Sequence, residues 1–150
     1  MFGRRKVREE PIHSFTHENG FLSNFHPAPV TLDDEIYPTV EHAYQAAKTL
    51  DRAERIQIRY APNPAIAKRL GKRVRIRPDW DQVKVDMMRS LLEQKFKNPE
   101  LRHLLLMTKD AELVEGNWWG DTFWGVCDGK GANMLGKLLM NIRALIRTTK

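Results

Sequence analysis

Only one cysteine, Cys127, stands among the 150 residues of the chain. It has no partner for an internal disulfide and cannot build a cysteine-rich zinc site, which agrees with a reducing compartment, the cytoplasm. With no histidine beside it, Cys127 reads as a structural thiol rather than a nucleophile. Long apolar runs are missing too. The longest aliphatic stretches, such as Leu104-Leu105-Leu106-Met107, fall far short of the roughly 20 residues a bilayer span requires. Arg4, Arg5, Lys6 and Arg8 are followed by no apolar segment, which argues against a secretory signal. His13 and His17 are four apart, but on a segment that reads as strand and turn, so no metal pair and no cofactor are expected. A Walker A loop is absent as well. Gly125 and Gly129 enclose three residues where that motif needs four, and Gly131 follows Lys130 where it needs Ser or Thr, which excludes P-loop NTPases and kinases.

What is present suits a soluble globular protein: 41% of residues are apolar and 29% charged, enough for a core of its own. The expected organisation is a flexible basic tail, residues 1–11, followed by a single domain, residues 12–150. The net charge of +6 favours phosphate-bearing partners. Its excess is concentrated at residues 68–77, where six basic residues occur before the next acid, Asp79. That stretch is either a phosphate surface or a solvated edge with Arg73, Arg75 and Arg77 outward and Val74 and Ile76 inward.

Periodicity predicts mainly helix with a minor β element, an α+β domain of five or six helices plus short strands. Ile12–Phe15 reads as a short strand and His17–Gly20 as a turn. Val30-Thr31-Leu32 and Glu35-Ile36-Tyr37 flank Asp33-Asp34 as a hairpin. Helices are expected from about Val40 to Leu50 and from Ala53 to Tyr60. Two more start at the Asn-Pro pairs 63–64 and 98–99, where asparagine caps and proline takes the first helical position. Asp79 with Gln82 resembles a capping box opening a long central helix. The last helix, about Met134 to Ile146, turns Leu135, Leu138, Leu139, Ile142, Leu145 and Ile146 inward.

Two places carry candidate chemistry. On the first helix, Tyr44, Gln45 and Lys48 fall within about 60° of Glu41 on a helical wheel. Ala43, Ala46, Ala47 and Leu50 cluster opposite and would pack on the core, turning the polar face away from it. The plain alternative is a solvated charge pair. The second place is residues 116–136, which hold six of the nine glycines and three of the four tryptophans. Large flat rings alternating with glycines suit a pocket for a planar ring, or a tight turn with buried tryptophans. Gly129-Lys130-Gly131-Ala132-Asn133 leads into the last helix, whose first N–H groups are candidates to receive phosphate.

The run Tyr37-Pro38-Thr39-Val40-Glu41-His42-Ala43-Tyr44-Gln45-Ala46-Ala47-Lys48 resembles the NADAR superfamily, the YbiA-like proteins. Trp80 to Phe96 and Leu113 to Met140 resemble its middle and C-terminal blocks, so the likeness covers about Phe15 to Arg147. It departs from the family where Tyr37 stands for a frequent tryptophan, Tyr44 for phenylalanine and Thr49 for an aromatic. The resemblance implies a mainly helical fold and hydrolysis of N-glycosidic bonds. It further implies action on ribosylamino-pyrimidine phosphates of riboflavin biosynthesis or removal of ADP-ribose from guanine, that is, ADP-ribosylation reversal. The partner is then ADP-ribosylated nucleic acid or a phosphorylated nucleoside-like small molecule.

Under that likeness Glu41 stabilises charge at ribose C1′ or prepares water, Asp121 is a second carboxylate, and Lys48 is an alternative, imine-forming nucleophile. Asn24, Tyr44, Gln45, Trp80, Trp119, Trp124 and Asn133 would line the pocket, with Gly129, Lys130 and Gly131 near phosphate. Two other classes stand beside the enzyme: a non-catalytic module binding ADP-ribose or nucleic acid, and a helical protein-interaction domain.

Overall fold

A computed structural model describes residues 9–149. Of the basic tail, residues 1–8 lie outside the described residues, and Glu9, Glu10 and Pro11 carry no helix or strand. The elements in order are a 3-10 helix (His17–Leu22), β1 (Val30–Leu32), β2 (Glu35–Tyr37), α1 (Val40–Ala47), α2 (Arg52–Arg59), α3 (Pro64–Gly71), α4 (Trp80–Lys95), α5 (Pro99–Met107), β3 (Gly116–Asn117), β4 (Val126–Cys127) and α6 (Met134–Thr148). The fold is thus mainly helical with small sheets, α+β. No helix among the described residues is long and apolar enough to cross a membrane. The chain divides into two compact units, Ser23–Leu101 and a second formed by the residues through Leu22 with those from Arg102 onward.

In the Ser23–Leu101 unit, β1 and β2 pair antiparallel with Val30 opposite Tyr37 and Leu32 opposite Glu35. Asp33 and Asp34 both have positive φ, 47° and 66°, as a two-residue turn matched to strand twist requires. Gln94 on α4 extends this hairpin by side chain: its Nε2 donates to Thr31 O and its Oε1 accepts from Thr31 N. The Asn-Pro starts hold: Asn63 accepts from Ile66 N, and Asn98 accepts from Glu100 and Leu101 N. Asp51 caps α2 in the same way through Glu54 N.

Several expectations need correction. The capping box at Asp79 does not form, because Arg77 takes both carboxylate oxygens in a bidentate pair at 2.6 and 3.1 Å. Helix α1 stops at Ala47 rather than Leu50, and Leu50 is 65% exposed instead of packed on the core. Residues 72–77 form no strand. Ile76 is exposed and Arg77 N donates to Lys48 O, so the inward-outward alternation is lost.

In the other unit, the strand expected at Ile12–Phe15 shrinks to a single parallel bridge from Ile12 to Leu113. The turn expected at residues 17–20 winds into the 3-10 helix, anchored by buried Phe21 and Leu22. Strands β3 and β4 pair in parallel. Helix α6 buries Leu135, Leu138, Leu139 and Ile142, but Leu145 is exposed. Arg143 takes the inward position at that end and donates to Thr108 Oγ1.

The Ser23–Leu101 core holds one charged group with no acid beside it. Lys95, 1% exposed, donates from Nζ to Ser23 O at 2.7 Å and lies 5.2 Å from the Phe96 ring centroid. Burial pushes its pKa from 10.5 down to about 7, and its charge helps burial hold His26 below the usual histidine value. A folded pKa below the unfolded one means that the unfolded chain binds more protons between the two values, so stability rises with pH across that window. We expect the unfolding free energy, measured by urea titration, to climb by up to about 1.4 kcal/mol per pH unit above pH 7 through this group. Lys95→Met should remove that part of the slope; identical slopes in both proteins would refute the assignment.

Candidate active site on helix α1

Helix α1 starts where Thr39, in extended conformation, accepts from His42 N through its hydroxyl. All eight of its residues are buried. Ala43, Ala46 and Ala47 have no exposed surface, so neighbouring elements seal that face. The polar side is largely covered as well, with Lys48 at its end half-buried, which sets aside a freely solvated charge pair. Glu41 is 7% and Gln45 4% exposed, and Gln45 Nε2 donates to Glu41 Oε1 at 2.7 Å. The Glu41 backbone N–H is taken by Asn24 O, which ties the start of α1 to the 23–26 turn.

One turn further along, the Tyr44 ring meets Trp80 at 5.2 Å between centroids with planes tilted by 52°. Lys48 Nζ lies 5.8 Å from the Tyr44 centroid. Burial holds the Lys48 pKa below the usual lysine value; Glu41 opposes that shift, while Lys68 and Lys72 reinforce it. The basic stretch thus runs beside this lysine. Within it, Lys72, Arg73 and Arg75 are exposed. Asn24 contributes Nδ2 to Met88 Sδ at 3.6 Å, while its Oδ1 is buried with no hydrogen-bond partner. So Asn24, Glu41, Tyr44, Gln45, Lys48 and Trp80 all belong to one unit and gather about α1.

The remaining candidates lie in the other unit. Asp121 Oδ1 accepts from both Phe123 N and Trp124 N, and Asn117 clamps the Asp121 backbone through both ends of its amide. Asp121 thereby has a structural task in shaping the 117–124 loop. Asn133 is equally occupied: its Oδ1 accepts from Glu115 N and its Nδ2 donates to Leu113 O. Most N–H groups at the start of α6 are already taken. Those of Met134 and Leu135, with Ala132 and Asn133 just before the helix, donate to the carbonyls of Phe123, Trp124, Thr122 and Gly125 respectively.

The glycines of this unit serve close approach of its own segments. A Cβ at Gly116, Gly125 or Gly131 would stand 2.0–2.2 Å from the carbonyl of His13, Glu115 or Gly125 respectively. Trp118 and Trp119 are 87% and 47% exposed, which removes the alternative of a turn that buries its tryptophans. Lys130 and Gly129 sit in an exposed turn where Lys130 N donates to Cys127 O.

Two residues carry positional tasks that periodicity did not reveal. His42, 1% exposed, donates from Nε2 to Ala61 O and accepts at Nδ1 from the Thr39 hydroxyl, and burial lowers its pKa. Gly71, which reads in the sequence as a helix stop, lies directly against Gln45. Neither residue has a local pattern that announces its contact.

The NADAR domain family matches residues 11–147. The N-glycosidase YbiA of Escherichia coli (strain K12) is 40% identical over 143 residues, spanning 93% of this chain and 89% of the relative. A riboflavin biosynthesis protein of Vibrio vulnificus is 38% identical over 146 residues, spanning 93% of this chain and 40% of that longer protein. The NMR structure of the E. coli protein YbiA is similar with a TM-score of 0.82 at 38% sequence identity, covering 95% of this chain and 88% of that one. A family match over nearly the whole chain and full-length likeness to YbiA together make this protein a member of the NADAR family.

Proposed function

We propose that this chain is an N-glycosidase that hydrolyses the bond between a ribose C1′ and a base nitrogen at the α1 face. The observation that carries the reading is a buried carboxylate, Glu41, oriented by Gln45 at 2.7 Å, on the same helix as Lys48, whose pKa is lowered by burial. A carboxylate held in a low-dielectric setting stabilises the positive charge that develops at C1′. A lysine with lowered pKa holds more neutral amine near neutral pH and is competent to attack an anomeric carbon. The Tyr44–Trp80 pair supplies flat aromatic surface for a base.

In the lysine route, neutral Nζ bonds to C1′ as the C1′–N bond breaks, and the base leaves with the electron pair. The two N–H protons of the attacking amine end on the departing base nitrogen and, relayed by Glu41, on the ring oxygen O4′ as the ring opens to an imine. Water then adds to the imine carbon, releases the sugar as its aldehyde and restores the amine. Asp121, Trp119, Trp124, Asn133 and the Gly129–Gly131 turn remain candidates for ribose, base and phosphate contacts from their own unit, with the Lys130 side chain as the phosphate ligand.

The relatives' names support an N-glycosidase and a riboflavin-pathway substrate; ADP-ribosylated nucleic acid comes from the family resemblance, and the charge distribution favours it. The exposed Lys72, Arg73 and Arg75 beside the Lys48 end of α1 support a polyanion, ADP-ribosylated nucleic acid, over a free ribosylamino-pyrimidine phosphate.

Both substrates, a guanine-ADP-ribosylated oligonucleotide and a ribosylamino-pyrimidine phosphate, should be incubated with wild type and Glu41→Gln and the products weighed by mass spectrometry. Glutamine at position 41 retains an acceptor for Gln45, so folding should persist while turnover drops by about 100-fold or more. Undiminished turnover would remove Glu41 from the mechanism, and binding without cleavage of either compound by wild type would support the non-catalytic module instead. Borohydride added during turnover should leave a sugar adduct on Lys48; turnover without an adduct assigns the attack to water.

Charge reversal of Lys72, Arg73 and Arg75 to glutamate should lower activity on the oligonucleotide by about tenfold or more and flatten its salt dependence, with a much smaller loss on the mononucleotide. Equal losses on both compounds would count against the polyanion.

A further inference from the structure

We infer that Gly71 is a positioning residue for the reaction: its missing side chain leaves the space in which the Gln45 amide lies while it holds the Glu41 carboxylate. This rests on the role proposed above for Glu41, and it gives Gln45 an orienting task in place of contact with substrate. The contact is tight. A Cβ at position 71 would fall 1.9 Å from Gln45 Oε1, 2.7 Å from its Cδ and 3.0 Å from its Cβ. The first two atoms belong to a side chain that could turn away in an open setting, but Gln45 is 4% exposed and has no room to do so. The third is rooted in α1 and moves only with the helix.

Backbone conformation does not explain the glycine. Positive φ occurs at Gly120, Gly129 and Gly131, while Gly71 closes α3 with no such value, so any L-residue could adopt its dihedrals. Alanine would in fact be favoured there by helix propensity. A position that gives up helix propensity and closes directly on a buried amide is occupied by glycine for space.

Alternatives to this amide geometry are few. Gln45 Nε2 reaches Glu41 Oε1 at 2.7 Å across one helical turn. Its Oε1, on the Gly71 side, is buried with no hydrogen-bond donor. Turning the amide to relieve a methyl group at position 71 would break its bond to Glu41. Helix α3 is tied to α1 on both flanks, by His42 Nε2 donating to Ala61 O before it and by Arg77 N donating to Lys48 O after it.

The test is a mutant cycle of Gly71→Ala, Gln45→Ala and the double variant, with kcat and KM measured on whichever of the two substrates wild type cleaves. Each single variant should lose kcat by about 10- to 100-fold, the range that small misplacements of a reacting group produce, with KM little changed. The double variant should be little slower than Gln45→Ala, because once the amide is gone the methyl group meets only the Cβ at position 45, at 3.0 Å. Losses that multiply, or an unimpaired Gly71→Ala, would overturn the inference.

A second readout does not need turnover. The Gln45 side-chain amide signals, protected from exchange in wild type and Glu41→Gln, should shift and lose protection in Gly71→Ala. Unchanged signals would refute the contact even if wild type cleaved neither substrate, an outcome that would bear on the proposed activity alone. Should Gly71→Ala fail to fold, Gln45→Leu tests the link from the other side, and full kcat in that variant would likewise overturn it.

Discussion

Burial of a whole helix is the constraint on which the site depends. Because none of the eight residues of α1 reaches solvent freely, each polar group it carries must be satisfied from within the protein. His42 is tied at both ring nitrogens, Thr39 serves the helix start, and Gln45 donates its amide to Glu41, the exception being its own Oε1, which is buried without a donor. The alanines make this possible, since only small side chains let surrounding elements approach closely enough to seal the helix. Burying a carboxylate costs stability, a cost for which the catalytic role proposed for Glu41 gives a reason.

The same desolvation acts on two lysines with different results. Lys48 is partly buried on the Glu41 helix, so its lowered pKa reflects a balance: burial and the neighbouring Lys68 and Lys72 disfavour the ammonium while Glu41 favours it. Lys95 has a backbone carbonyl for a partner, and burial is the cause of its shift. Its Nζ holds Ser23 O one residue before Asn24, whose own carbonyl receives the Glu41 N–H. Lys48 is thus the lysine to which the proposed mechanism gives a reaction, while Lys95 fixes the turn on which the start of α1 rests.

Much of this was legible from residue order. The Asn-Pro starts, the Asp-Asp hairpin and the helix spans follow from local rules that act over a few residues, and the grouping of Glu41, Tyr44, Gln45 and Lys48 follows from helical geometry alone. Which way that face points was not legible. Amphipathic reading assigns polar residues outward, but α1 is enclosed on all sides, while Leu50, apolar and next in phase, lies beyond the helix end and is exposed. The stretch 72–77 had a strand-like alternation that lost to its hydrogen bond with Lys48 O. Gly71 looked like a helix stop because the residue that needs its space lies on another helix.

The glycine- and tryptophan-rich segment shows the same limit from the other direction. Its composition suggested a ring pocket over a phosphate-binding helix start, yet the four N–H groups there are bound to carbonyls of residues 122–125. Gly116, Gly125 and Gly131 bring backbone segments of that unit into contact, and the carboxylate of Asp121 and the amide of Asn117 stiffen the loop between them. What the segment leaves uncommitted is its exposed surface: the face of Trp118 and the side chain of Lys130. Any substrate contact proposed for this unit therefore falls to side chains on that loop, because the main chain at the start of α6 is already consumed in building it.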